Sequence, residues 1–156
     1  MTSFQLVGIP AEPFAPLFAL SDRELAEMGA LRVVAKEVNS HPCRVSLVDA
    51  EIGEELLLLP YGHQPADSPY KASGPIYVLK GAQQRILAVG HVSDYVRRRL
   101  ISVRAYDAED MMIGADVCDG PSVAAEIEHQ FSNEQVRYIH LHNAKRGCFS
   151  CLVKRV

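Results

Sequence analysis

The spacing of the apolar runs constrains this chain most. About seven to nine stretches of β-branched and aliphatic residues recur along it, each too short for an ordinary helix. They fall at residues 4–9, 31–36, 55–61, 76–79, 85–89, 100–106, 111–117, 136–142 and 149–153. Helical signals are fewer. Ser21-Asp-Arg-Glu24 fits a capping box, and Leu25 and Met28 continue it as an apolar stripe toward Gly29. Gly120-Pro121 opens another helix, with Val123, Ala124, Ile127 and Phe131 on one face. Residues 13–20 and 93–98 leave room for a short helical segment each. About three helices scattered among strands do not give a strand-helix-strand alternation. The pattern therefore predicts an α+β fold with a mainly antiparallel sheet. With 156 residues, no internal repeat and no linker, the chain reads as a single domain over 1–156.

Charge narrows the partners. The formal net charge is −3, so no basic excess points to nucleic acid or an anionic membrane. The one basic run, Arg97-Arg98-Arg99, is read as a solvated face. The N-terminal residues show no basic stretch followed by a long apolar one, so no signal peptide is expected. The expected location is the cytoplasm, with Cys43, Cys118, Cys148 and Cys151 as reduced thiols. The expected partner is a polar small molecule, with a homo-oligomer left open. No cofactor is assigned.

Residues 62–75 hold three prolines and two glycines with almost no aliphatic bulk. Such a stretch is expected to be a long loop rather than helix or central strand. Its His63, Gln64, Asp67, Ser68, Tyr70, Lys71 and Ser73 concentrate donors and acceptors on a segment stiffened by proline. Two readings stand beside each other: a ligand site, and side chains that brace the loop's own backbone.

The C-terminal 136–153 segment reads as a hairpin. Parity puts Tyr138, His140 and His142 on one face, and Ile139 and Leu141 on the other. On the second strand it groups Phe149, Cys151 and Val153. With Asn143 opposite Gly147, the apolar sets share a face. His142 then lies across from Cys148, and His140 across from Ser150, unless a bulge near Gly147 intervenes. A Cys beside a His suits a nucleophile and its base, which makes Cys148, His142 and His140 the candidate catalytic residues. The same His140 and His142 can chelate a metal, with His63 or Asp67 as a further ligand. Arg104, on a strand with Ser102 and Tyr106, suits either a structural carboxylate or a ligand's carboxylate or phosphate. No phosphate-binding glycine loop, nucleophile elbow, His-Glu-x-x-His or calcium loop occurs.

Several segments together resemble one family. They are Cys43-Arg-Val-Ser-Leu47, Gly53-Glu54, Leu56-Leu-Leu-Leu-Pro-Tyr61, His63-Gln-Pro-Ala-Asp-Ser-Pro-Tyr70, Ala72-Ser-Gly-Pro75 and His142-Asn-Ala-x-x-Gly-Cys148. The chain is similar to a bacterial family of unknown function, DUF1203. The resemblance implies a stand-alone bacterial domain and supplies no reaction or cofactor. The expectation from the residues is a small-molecule site where the 63–73 segment meets the His face of the hairpin, suited to group transfer or hydrolysis. A non-catalytic ligand- or protein-binding module and a His-based metal site are the alternatives.

Overall fold

The computed structural model describes residues 2–156. Its strands, in chain order, are β1 (Phe4–Val7), β2 (Leu31–Val34), β3 (Pro42–Cys43), β4 (Val48–Asp49), β5 (Glu55–Gln64), β6 (Ala72–Leu79), β7 (Leu100–Tyr106), β8 (Met112–Asp119), β9 (Tyr138–Asn143) and β10 (Phe149–Arg155). They form two five-stranded sheets, ordered β1-β10-β9-β7-β8 and β2-β5-β6-β3-β4. Every pairing is antiparallel except β3 with β6. Three helices, α1 (Asp22–Glu27), α2 (Asp94–Arg97) and α3 (Val123–Phe131), accompany them, with 3-10 turns at Ala15–Ala19 and Gly120–Ser122. The α+β class is as expected, with slightly more strands, divided between two sheets.

Local chemistry explains the elements that matter for the site. In β7, Ile101, Val103 and Ala105 are fully buried, as their alternation requires. They pack with Ile139, Leu141 and Val153, and with Val123, Ile127 and Phe131 of α3. The capping box of α1 forms: Glu24 N donates to Ser21 Oγ at 3.1 Å, and Ser21 N to Glu24 Oε2 at 2.7 Å. No helix among the described residues is long and apolar enough to cross a membrane.

Three expectations are corrected. Residues 85–89 form no strand; they contribute only an isolated bridge, Ile86 to Val7. Arg98 and Arg99 are not simply solvated, because both grip the buried carboxylate of Asp49, each at 2.7 Å. The third correction is the largest. Half of the proline-rich stretch is strand: β5 runs on to Gln64 and β6 begins at Ala72, so the loop shrinks to residues 65–71. Prolines fit there because β2 pairs only with residues 55–58 of β5. Beyond Leu58, β5 and β6 continue as a two-stranded ribbon with Pro60 opposite Pro75. A ribbon has an unpaired outer edge on each strand, where a missing N–H costs nothing.

Candidate metal centre

Two β-bulges build the site. The first is in the ribbon, where Tyr61 pairs with Gly74 but Gln64 with Ala72. Gly62 and His63 together face Ser73, and such an inserted residue re-aims its neighbours. The second is in β10. Phe149 pairs with His142, and Cys151 with Leu141, which leaves Ser150 as the extra residue. This overturns the expected register of His142 opposite Cys148 and His140 opposite Ser150; His140 in fact pairs with Leu152. Cys151 and Val153 keep the core face, but Phe149 moves to the histidine side. Its ring stacks on His63 at 5.5 Å with an interplanar angle of 5°. It also meets His140 and His142 edge-on, at 5.2 and 5.8 Å.

The bulge leaves carbonyls outside the ladder, and side chains satisfy them. Arg44 Nε donates to Phe149 O at 2.7 Å, and Tyr95 Oη to Ser150 O at 2.8 Å. Cys148 is drawn into this arrangement rather than to a histidine. Its Sγ accepts from Arg44 Nη2 at 3.3 Å and from Asn143 Nδ2 at 3.9 Å. No Cys148–His142 hydrogen bond forms, because His142 Nδ1 is engaged with Gly147 O at 2.9 Å. Gly147 has φ +78°, a conformation that suits glycine and turns this carbonyl back toward the imidazole.

On top of Phe149, His63, His140 and His142 converge. One ligand atom from each lies within 4.8 Å of the other two. His63 and His142 meet at 5.0 Å between ring centroids, nearly perpendicular. His140 and His142 are buried, and His63 is partly exposed. Each ring has a buried nitrogen with no hydrogen-bond partner: His63 Nδ1, His140 Nδ1 and His142 Nε2. Burial lowers the pKa of His140 to about 3, helped by His142, His63 and Arg104. Burial lowers His142 to about 4 against the opposing Gly147 hydrogen bond, with Arg104 adding to the depression. His63 is lowered by burial and then by Arg104. All three rings are neutral at pH 7, the state in which imidazole donates a lone pair. The Gly147 carbonyl holds the proton of His142 on Nδ1 and leaves the lone pair on Nε2, as the outer partners of metal-bound histidines do.

The donor set fits a transition metal. A tetrahedral zinc ion with Zn–N near 2.05 Å needs nitrogens about 3.3 Å apart, so the rings must draw in by about 1.5 Å at most. Arg104 stands beside the cluster, opposite His140 in the β7–β9 register. Its Nε donates to Ser102 Oγ at 3.1 Å, and it forms no ion pair with a carboxylate among the described residues. Of its two expected uses, the structural salt bridge is absent.

The remaining candidates divide. Gln64 is buried and donates to Tyr138 Oη at 2.9 Å, while Tyr138 Oη donates to Asp110 Oδ1 at 2.6 Å. Ser68 Oγ donates to Asp110 O at 3.0 Å and accepts from Tyr70 N at 3.2 Å. The loop thus both braces itself and ties down onto the sheet that carries the histidines. Tyr70 packs edge-on against Tyr106, which stacks on Tyr138 at 5.1 Å. Asp67 and Ser73 are exposed. Asp110 and Arg44 carry no signal in the sequence that marks them as site residues, and parity places Phe149 with the core rather than with the histidines. Parity had already placed Tyr138 with the histidines, but no local pattern announced the contribution of the β7–β8 turn.

Taken as a class, this is an α+β domain of two sheets with a three-imidazole cluster between a ribbon and the opposite sheet. The chain belongs to the family described as "Protein of unknown function (DUF1203)", whose model matches residues 40–155. The matched span includes all three histidines and Arg104. No curated protein and no solved structure matches the chain.

Proposed function

We propose that the protein binds a divalent transition-metal ion of the zinc class through His63, His140 and His142, and acts with it on an anionic small molecule steered by Arg104. One observation carries the reading: three neutral imidazoles meet, two of them buried and His63 partly so, each with a buried nitrogen that has no hydrogen-bond partner. Buried polar atoms are nearly always hydrogen-bonded, so three orphans in one cluster call for a shared partner. A divalent ion there supplies Lewis acidity, which suits hydrolysis or group transfer. Three protein ligands leave a coordination position open, as catalytic zinc sites do.

The other residues have separable parts. His142 is held in one tautomer by Gly147 O. Phe149 excludes water beneath the rings. Arg104, which pairs with no carboxylate among the described residues, attracts an anion to the partly exposed His63 side. Gln64, Tyr138 and Asp110 hold the ribbon in place over β9. In this reading the protein is a bacterial cytoplasmic one, in keeping with four unpaired cysteines.

The test is metal analysis of untagged protein, followed by titration of the stripped protein with zinc against a chromophoric competitor. The reading predicts one zinc per chain, weakened strongly by His140→Ala and unaffected by Cys148→Ser. Folded protein that carries no metal and fails to bind added zinc would overturn it.

A further inference from the structure

A second polar site lies at the other side of the β9–β10 hairpin end. A cavity of about 320 Å³ opens there, lined by Arg44, Tyr77, Asn143, Lys145, Arg146 and Cys148 among others. Arg98 and Arg99 also border it. Asn143 shares its parity with Ile139 and Leu141, not with the histidines, so this cavity is separate from the imidazole cluster.

Its charge is unbalanced. Five cationic side chains line it, and the one carboxylate that any of them pairs with among the described residues is Asp49, shared by Arg98 and Arg99. Arg44 is 1% exposed and has no carboxylate partner. It spends three N–H groups, on Phe149 O, Pro42 O and Cys148 Sγ. A guanidinium has five, so two remain. A buried cation without a counter-charge is costly, and holding the bulge carbonyl does not require a charge. Asn143 is 9% exposed, and its Oδ1 has no hydrogen-bond partner. Lys145 and Arg146 are exposed on the turn at the cavity's edge and form no ion pair among the described residues.

We propose that this cavity binds a phosphomonoester that carries a hydroxyl group. Arg44, Lys145 and Arg146, which form no ion pair among the described residues, match a dianion better than a single carboxylate. Guanidinium groups fit phosphate oxygens in bidentate fashion. The buried Asn143 Oδ1 accepts from a hydroxyl on the ligand's carbon chain, a donor that stands apart from the phosphate group; hydrogen phosphate offers only the hydroxyl on phosphorus, which the cationic side chains hold. The volume lies at the small end of ligand sites, so the ligand is a compact one.

Cys148 forms part of the wall and serves as a reporter. Of the other cysteines, Cys43 and Cys151 are buried, while Cys118 is partly exposed like Cys148. The full-length protein is treated with iodoacetamide, and alkylation at each cysteine is followed by peptide mass mapping. Glycerol 3-phosphate is the probe, with chloride at equal ionic strength as control. At a concentration of about four times its dissociation constant, the probe should slow alkylation of Cys148 about five-fold by mass action. Cys118 should be unaffected, inorganic phosphate should protect less, and Lys145→Ala/Arg146→Ala should abolish the protection. Both substitutions lie on the exposed turn, where they leave the core intact. No protection of Cys148, equal slowing of Cys118, or protection that persists in the double variant would each overturn the proposal. Because the readout sits at Cys148, it stands or falls independently of metal binding at the histidines.

Discussion

Two buried polar clusters flank the same strand, β10, and they differ in one respect. Beneath it, Tyr95 Oη donates to Ser150 O at 2.8 Å and accepts from Ser150 Oγ at 3.0 Å. Burial pushes the Tyr95 hydroxyl well above its usual range and the Cys151 thiol up to about 12, so both stay protonated. That cluster closes on itself. Above the strand, His63, His140 and His142 bring one ring nitrogen each within 4.8 Å of the other two without a hydrogen bond between them. Closed polar networks lock a structure, whereas open ones are retained only with a partner or at a cost in stability. The first cluster repairs a bulge; the second leaves a ring nitrogen of each of three histidines without a partner.

The largest effect expected from this contrast concerns metal. Zinc at about a thousand times its dissociation constant should raise the stability of the native protein by about 4 kcal/mol. A calorimetric scan should show the corresponding rise in Tm, and His142→Ala should remove it. Tyr95→Phe should leave the rise intact.

Acid acts on stability through the same rings, with an effect of at least similar size. His140 and His142 titrate near 3 and 4 in the folded chain, against an ordinary value near 6.5. Between these limits the unfolded chain binds more protons than the native one, so stability increases with pH. The contribution is complete above pH 6.5 and is lost as pH falls toward 4 and then 3. Urea melts of metal-free protein should lose several kcal/mol across that window. His140→Gln should flatten the slope; an unchanged slope would place the acid sensitivity elsewhere.

The closed cluster should respond more modestly and without regard to metal. Tyr95→Phe leaves the Ser150 hydroxyl and carbonyl without their partner, at a cost of about 1–3 kcal/mol. Denaturant unfolding should read that loss, with zinc affinity unchanged. The smallest effect on stability is expected at Arg104. Arg104→Met should shift the urea midpoint little and keep zinc bound, yet weaken an anion such as azide at the loaded centre by about ten-fold. It should also raise the pKa of His63, measurable by NMR, since the guanidinium adds to its depression.

The sequence made one half of the site legible. Alternation along 136–142 placed His140 and His142 together and opposite the core. Alternation along 100–106 aimed Arg104 the same way, and β7 and β9 prove to be neighbours. His63 was named as a third ligand because of its type. What brings it there was hidden: Pro65, Pro69 and Pro75 together signal a loop over 62–75, but Pro75 sits harmlessly opposite Pro60 in a ribbon. The bulge at Ser150 was equally silent. Its cause is long-range, since Arg44 and Tyr95 must be in place to take up its carbonyls. That single inserted residue exchanged Cys148 for Phe149 opposite His142, and with it a nucleophile pair for an apolar floor.

The most direct test of the imidazole cluster is diffraction from crystals of zinc-loaded protein, with data collected on both sides of the zinc absorption edge. The account predicts one strong anomalous peak, about 2.0–2.1 Å from a nitrogen of each of His63, His140 and His142. A peak at the cysteines or on the surface, or none at the three rings, would contradict it.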